Sequence, residues 1–337
     1  MSSAIRFTHP GPPDVLRLVR IERPEPRLNE VRIEVAAAGV NNADLLERRG
    51  QYPVPPSAPA GLGLEVAGTI TAVGGDVTAW RPGDQVCALV AGGGYAEEAI
   101  APAAQVMRIP PGVSMIEAAA LPEVACTVYS NLAMIAGLTA GQTALIHGAG
   151  SGIGSFAIQW ANAIGADVIT TAGSEAKTLA AMELGATRAV NYRTDDFVAA
   201  TLAATGGRGV DAILDIVGTT YLRRNMECLA DDGHLVIIGG TAGRVTFDLW
   251  ELMSRRASIS ATLLRGRPAH QKAAIVAGVT RDVLPLVEAG VIRPIVDTVF
   301  PLADARSAHE MLESGRTVGK VVLETSRHRP RIMGTGS

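Results

Sequence analysis

Gly148-Ala-Gly-Ser-Gly-Ile-Gly154 is the stretch with the most evident chemistry. It has too many glycines for a helix interior and enough freedom for a tight turn. Between a buried strand and an amphipathic helix, such a turn aims backbone N–H groups and the positive end of a helix dipole at a pyrophosphate. A strict G-x-G-x-x-G is absent, because with its last glycine on Gly154 the first two positions hold Ala149 and Ser151. The same residues are not a nucleophile elbow, since G-x-S-x-G would need glycines at Ala149 and Ile153. A second stretch, Thr170-Thr-Ala-Gly-Ser174, lies where a site for the unphosphorylated dinucleotide carries a carboxylate, about 20 residues after the turn. No carboxylate comes before Glu175, and Lys177 follows. A hydroxyl turn and an ammonium suit a 2′-phosphate, which a carboxylate would repel. These residues point to NADP(H), with a solvated helix lysine as the bland alternative for Lys177. Ser174-Glu-Ala-Lys177 matches S-x-x-K, but no companion Ser-Asp-Asn or Lys-Thr-Gly follows it.

The elements that must hold these residues form a βαβ unit. Thr143–His147 reads as a buried strand, Ile153, Phe156, Ala157, Trp160 and Ile164 recur at helical spacing, and Asp167–Thr171 reads as the next strand. Downstream, strands are expected at Arg188–Tyr192, Val210–Val217, His234–Ile238 and Ser258–Leu264, with helices at Phe197–Ala204 and Tyr221–Leu229. That alternation predicts a doubly wound, mostly parallel sheet, with Val217 and Gly239 at strand ends on its ligand side. Residues before about Pro122 are different. Val31–Val35, Val66–Ile70 and Gln85–Leu89 are short strands between Gly- and Pro-bearing turns, Asp44–Arg49 is a brief helical turn, and Tyr52–Pro59 is a proline-rich loop. Many short strands of this kind suggest a partly closed barrel. The closing elements, a helix at Ala303–Glu313 and a strand at Gly319–Leu323, are expected to return to that first domain. The division is thus 1–122 with 266–325, 123–265, and a basic tail over 326–337 read as disordered.

Bulk properties narrow the classes. A chain of 337 residues exceeds one comfortable core. Its 47% hydrophobic and 19% charged content is that of a globular protein, and a net charge of −3 without a basic stripe argues against nucleic acid. No apolar run is long enough for a membrane span, and three widely spaced cysteines suggest reduced thiols in the cytoplasm. The six histidines form no H-E-x-x-H, and no C-x-x-C occurs.

Gly39-Val-Asn-Asn-Ala-Asp44, Gly63-Leu-Glu-Val-Ala-Gly68, Gly83-Asp-Gln-Val86, Gly141 through Gln159 and Gly319-Lys-Val-Val-Leu323 together resemble the medium-chain dehydrogenase/reductase superfamily. Within it the chain looks like a zinc-free quinone oxidoreductase of the zeta-crystallin type. Ser151, Tyr192-x-x-x-Asp196-Phe197 and Leu263-Leu-Arg265 are similar to the human stress-inducible branch. The resemblance implies a Rossmann domain and a GroES-like domain. Where zinc alcohol dehydrogenases place metal ligands, this chain has Asn41, Leu64 and Glu123, and the four-cysteine lobe is missing, so no metal site is expected.

The implied activity is NADPH-dependent reduction of a quinone or another conjugated carbonyl acceptor. An enoyl or alkenal reductase, or a non-enzymatic NADPH-binding protein, stands as the alternative. Asn41 is the candidate polar group at the nicotinamide or acceptor carbonyl, with a turn cap as its competing role. Tyr52 is a candidate proton donor or stacking aromatic, or only a rim residue. The resemblance implies Thr127 near the nicotinamide amide, Gly152 and Ile153 at the pyrophosphate with Ser151 of the same turn also cofactor-binding, and Gly173, Ser174, Lys177 and Tyr192 around the 2′-phosphate. Leu263, Leu264 and Lys320 would border the nicotinamide side of a cleft, and Arg265 could meet the acceptor or a phosphate. A homodimer pairing through the Ser258–Leu264 edge is the family analogy.

Overall fold

The structure is a computed structural model, and it describes residues 1–241 and 243–325; the expected tail over 326–337 lies outside them. The chain divides into two compact units, Met1–Glu123 with the segment from Val296 onward, and Val124–Ile295.

The first seven strands are β1 Ser2–Arg6, β2 Arg17–Ile21, β3 Glu30–Val40, β4 Glu65–Val73, β5 Gln85–Leu89, β6 Glu98–Pro102 and β7 Val106–Arg108. The second unit contributes β8 Thr143–His147, β9 Asp167–Ala172, β10 Arg188–Asn191, β11 Val210–Asp215, β12 Leu229–Ile237 and β13 Ser258–Ala261. The chain closes with β14 Val296–Pro301 and β15 Lys320–Glu324.

In the first unit the strand order is β14-β15-β3-β4-β5-β7, with β6 also on β3. The strand β3 has eleven residues, twice the length read from Val31–Val35, because its Ala36-Ala37-Ala38-Gly39 half is buried without the alternation that marks a one-faced strand. One edge of β3 runs along β4. The other is shared, Glu30–Glu34 pairing β6 and Ala37–Val40 pairing β15. This division curls the sheet without closing it, which is the partly closed, GroES-like arrangement. Its core is built on Val31, Ile33, Val35, Val66, Ile70 and Val86, all buried.

The second unit holds a six-stranded parallel sheet in the order β10-β9-β8-β11-β12-β13, a Rossmann sheet. The helix Phe197–Ala204 has the bounds expected, and the helix over Leu222–Cys228 is one residue shorter at each end. Three strands of this sheet differ from the sequence expectation by more than one residue. β11 stops at Asp215 because that carboxylate accepts N–H bonds from Val217 (2.6 Å) and Gly218 and turns the chain out of the ladder. β12 begins at Leu229, not His234; the polar Asp231-Asp232-Gly233 disguised a register shift, with Asp232 at φ 62°. β13 ends at Ala261, leaving Leu263 and Leu264 in the turn beyond. The boundary expected at residue 265 also differs. Helices Ala269–Asp282 and Leu284–Glu288 fall in the second unit, anchored there by a Tyr129 hydroxyl donating to Asp282. Gly278 lies against the Tyr129 ring, where a Cβ would come within 2.3 Å of it.

Candidate functional site

In the Rossmann unit the glycine turn links β8 to the helix Gly152–Ala163. Ser151 caps that helix: its Oγ accepts from Gly154 N–H (2.9 Å) and its hydroxyl donates to Gly148 O (2.8 Å). Both hydroxyl functions thus shape the turn. Gly154 N–H goes to Ser151 Oγ and Ser155 N–H to Ser151 O, which leaves the first-turn amides of Gly152 and Ile153 for an anion. A Cβ on Gly154 would lie 2.2 Å from Gly148 O, so the helix approaches the strand only through a glycine there.

The residues expected around a 2′-phosphate make local contacts. The Lys177 side chain lies over Gly150, whose Cβ would meet Lys177 Cδ at 2.7 Å and Nζ at 3.2 Å. Tyr192 faces Gly173 in the same way, with its hydroxyl 2.5 Å from a Cβ built there. Ser174 caps the helix Glu175–Glu183, its Oγ accepting from Lys177 N–H, while its O–H remains a donor.

Thr127, Leu263 and Leu264 share a device that sequence reading missed. Asn131, buried in a π-helical turn over Tyr129–Ile135, donates to Thr127 O (2.7 Å) and accepts from the Thr262 hydroxyl (2.7 Å). One side chain therefore fixes Thr127 and the residue before Leu263. Wide helical turns of this kind recur at functional positions, and no composition signal announces them. Leu264 is buried and Leu263 is exposed. Arg265 is buried too, and its main-chain oxygen accepts from Lys272 Nζ.

Below the turn runs a buried chain centred on His147. Thr171 Oγ1 is 2.9 Å from Nδ1, Nε2 is 2.7 Å from Asn225 Oδ1, and Asn225 Nδ2 donates to Asp215 Oδ2 (3.1 Å). Asp215 in turn holds the Val217 and Gly218 amides. Burial lowers the His147 pKa to about 4 and raises that of Asp215, so the imidazole is neutral and its Nε2–H is the donor toward Asn225. Val217 sits where this chain ends, and its carbonyl accepts from Thr241 N–H. Gly239 follows β12 and is exposed.

The first unit carries a separate polar group. Lys320, on β15, donates to Glu65 Oε1 (2.6 Å) and to Asn41 Oδ1 (2.5 Å), and Asn41 Nδ2 donates to the same Glu65 oxygen (2.9 Å). Glu65 Oε2 accepts Glu123 N–H (2.9 Å). Glu65 is fully buried and Lys320 is 5% exposed. Asn41 occupies the N-cap position of the helix Asn42–Arg48. Asp44, three residues on, accepts Asn41 N–H (2.8 Å) and completes a capping box, so the turn-cap role read for Asn41 is present beside its bonds to Glu65 and Lys320. Asp44 also accepts from Gly63 N–H and the Tyr95 hydroxyl, and burial raises its pKa to about 6. Glu65 was legible only as part of Gly63-Leu-Glu65; a Cβ on Gly39 would stand 2.2 Å from its Oε1, so Gly39 was the other signal. Tyr52 is half-buried in the irregular segment before β4.

A Rossmann sheet followed by a return to a GroES-like sheet defines the medium-chain dehydrogenase/reductase class. Residues 27–111 match the alcohol dehydrogenase GroES-like domain and residues 184–323 the zinc-binding dehydrogenase family. Quinone oxidoreductase 1 of Escherichia coli K12 is 34% identical over 328 residues, covering 96% of this chain and 99% of its own. A crystal structure of the Escherichia coli quinone oxidoreductase complexed with NADPH matches with a TM-score of 0.84, covering 96% and 99% of the two chains. The chain is also 36% identical over 298 residues to erythronolide synthase EryA2 of Saccharopolyspora erythraea, 88% of this chain but 8% of that protein. With full-length relatives at this level, the chain belongs to the quinone oxidoreductase family.

Proposed function

We propose that the chain reduces quinones, or other conjugated carbonyl acceptors, by hydride transfer from NADPH without zinc. The observation that carries this reading is the polar group on Asn41. At positions where zinc dehydrogenases hold their metal, this chain has the Asn41 amide, the Leu64 hydrocarbon and Glu123, with no thiolate or imidazole, while the neighbouring Glu65 carboxylate is engaged by Lys320. Such a set is a poor ligand shell for Zn²⁺, so the acceptor must be electrophilic without a Lewis acid, as a quinone is. Residues of the Rossmann unit fit a phosphorylated dinucleotide: two helix N-terminal amides for the pyrophosphate, and Ser174, Lys177 and Tyr192, with no carboxylate ending β9, for the 2′-phosphate. Bound NADPH supplies the hydride. Thr127, Val217, Gly239, Leu263 and Leu264 would hold the nicotinamide end and exclude water, and Tyr52 would stack on the acceptor or give it a proton.

The placement beside the stress-inducible branch rests on Ser151, the Tyr192–Phe197 spacing and Leu263-Leu264-Arg265 alone. Cytoplasmic location and a homodimer belong to the same proposal. Reduction of a conjugated C=C would use the same residues with an acid for carbon protonation.

Steady-state rates with quinones, enals and enoyl thioesters decide between them. Quinones should win by kcat/KM; preference for an enoyl thioester would install the second reading, and NADPH binding with no turnover of any acceptor would leave a binding protein. Replacing Lys177 by Ala should weaken NADPH by about 1.5–3 kcal/mol more than NADH. Equal losses would remove the lysine from phosphate recognition.

A further inference from the structure

We propose that Glu65 and Lys320 lock the side-chain amide of Asn41 in one orientation, so that it presents one N–H donor to a carbonyl oxygen. An ammonium only donates and a carboxylate only accepts, so Oδ1 must face Lys320 and Nδ2 must face Glu65, as the distances of 2.5 and 2.9 Å have them. A flipped amide would set its hydrogens against the ammonium and its oxygen against the carboxylate. Neither charged partner can give way easily. They bind each other at 2.6 Å, both are buried, Glu65 is held from behind by Glu123 N–H, and the backbone of Gly39 leaves no room beside it. The main chain of Asn41 is pinned separately through Asp44.

Of the two Nδ2 hydrogens, one is engaged by Glu65. The other belongs to a half-buried group and remains for a ligand. The ammonium on Oδ1 polarises the amide and makes that N–H a better donor. Its complement is an acceptor without a hydrogen of its own, namely a carbonyl oxygen. On the function proposed above, two molecules carry one: the quinone and the carboxamide of the nicotinamide. Asn41 is then the group that touches ligand, and Glu65 and Lys320 are positioning residues.

The test compares wild type with Asn41→Leu, Asn41→Asp and Glu65→Gln in two readouts. One is equilibrium binding of NADPH against its thionicotinamide analogue, whose C=S accepts a hydrogen bond poorly. The other is the acceptor KM. If the carboxamide is the partner, a preference of about three- to tenfold for the oxygen form in wild type should vanish in all three variants. If the acceptor is the partner, that preference should be unaffected and the acceptor KM should rise by the same factor. Variants that match wild type in both readouts would overturn the proposal. Should Glu65→Gln fail to fold, Asn41→Asp, equal in shape and lacking the N–H, decides alone. A wild type that binds NADPH but reduces no quinone would remove the proposed function and leave the binding comparison standing.

Discussion

Single residues in this chain act through what their absence of bulk permits. Gly150 has no Cβ, and the far end of the Lys177 side chain fills that space. Alanine at 150 would meet only the tip of a flexible chain, so the fold should tolerate it, losing less than about 1 kcal/mol in urea unfolding. The lysine would move all the same. Gly150→Ala should therefore shift the NADPH-to-NADH preference in the direction of Lys177→Ala, read as the ratio of dissociation constants. An unchanged ratio would mean that the ammonium is free to find the phosphate from elsewhere. Gly154 is a contrasting case, since an added Cβ there meets backbone oxygen at 2.2 Å and nothing can step aside cheaply. Sequence spacing singled out the glycine turn and Lys177 as candidates because both follow from local chemistry. Glu65 escaped selection because its significance lies in partners 24 and 255 positions away.

Strands and helices here are tied at their ends by polar links that no periodicity reveals. His147 ends an apolar strand and reads as core, yet it joins β8 to Thr171 of β9 and, through Asn225, to the turn after β11. Phe197 and Tyr221 pack edge-on against its ring at 5.0 Å, which keeps water and protons away. The folded pKa of about 4 lies below the ordinary 6.5, so between these values the unfolded chain binds more protons and stability rises with pH. Compared with His147→Gln, the wild type should lose up to about 1.4 kcal/mol per pH unit on acidification through that window, with no further change in the difference above pH 7. Urea unfolding of both proteins from pH 4.5 to 7.5 measures this. A flat difference throughout would show that the folded imidazole takes up a proton. Strand ends were misjudged for the same reason: Asp215 halts β11 with side-chain bonds, a tertiary choice that apolar run length cannot register.

At the scale of the molecule, the division into a GroES-like and a Rossmann unit was legible because the rhythm of elements changes near residue 123. The fate of 266–295 was not, since amphipathic helices show which face is apolar and not which sheet receives it. One apolar surface is left over in the Rossmann unit. The strand β13 is bonded on one side, to β12, and forms the edge of the sheet. The helix Leu249–Ser254, absent from the sequence expectation, precedes it and buries none of its residues; Leu249, Trp250 and Met253 are 63%, 68% and 65% exposed. An open parallel edge beside a Trp–Met–Leu surface is a liability for a lone chain. A second copy related by a two-fold axis would cover both at once, edge against edge and helix against helix, because such an interface is self-complementary. Trp250→Lys combined with Met253→Lys should then convert a dimer to a monomer in sedimentation velocity, with the circular dichroism and NADPH affinity of the Rossmann unit retained. A wild type that sediments as a monomer at all concentrations would remove the dimer, and a dimer indifferent to both lysines would place its contact elsewhere.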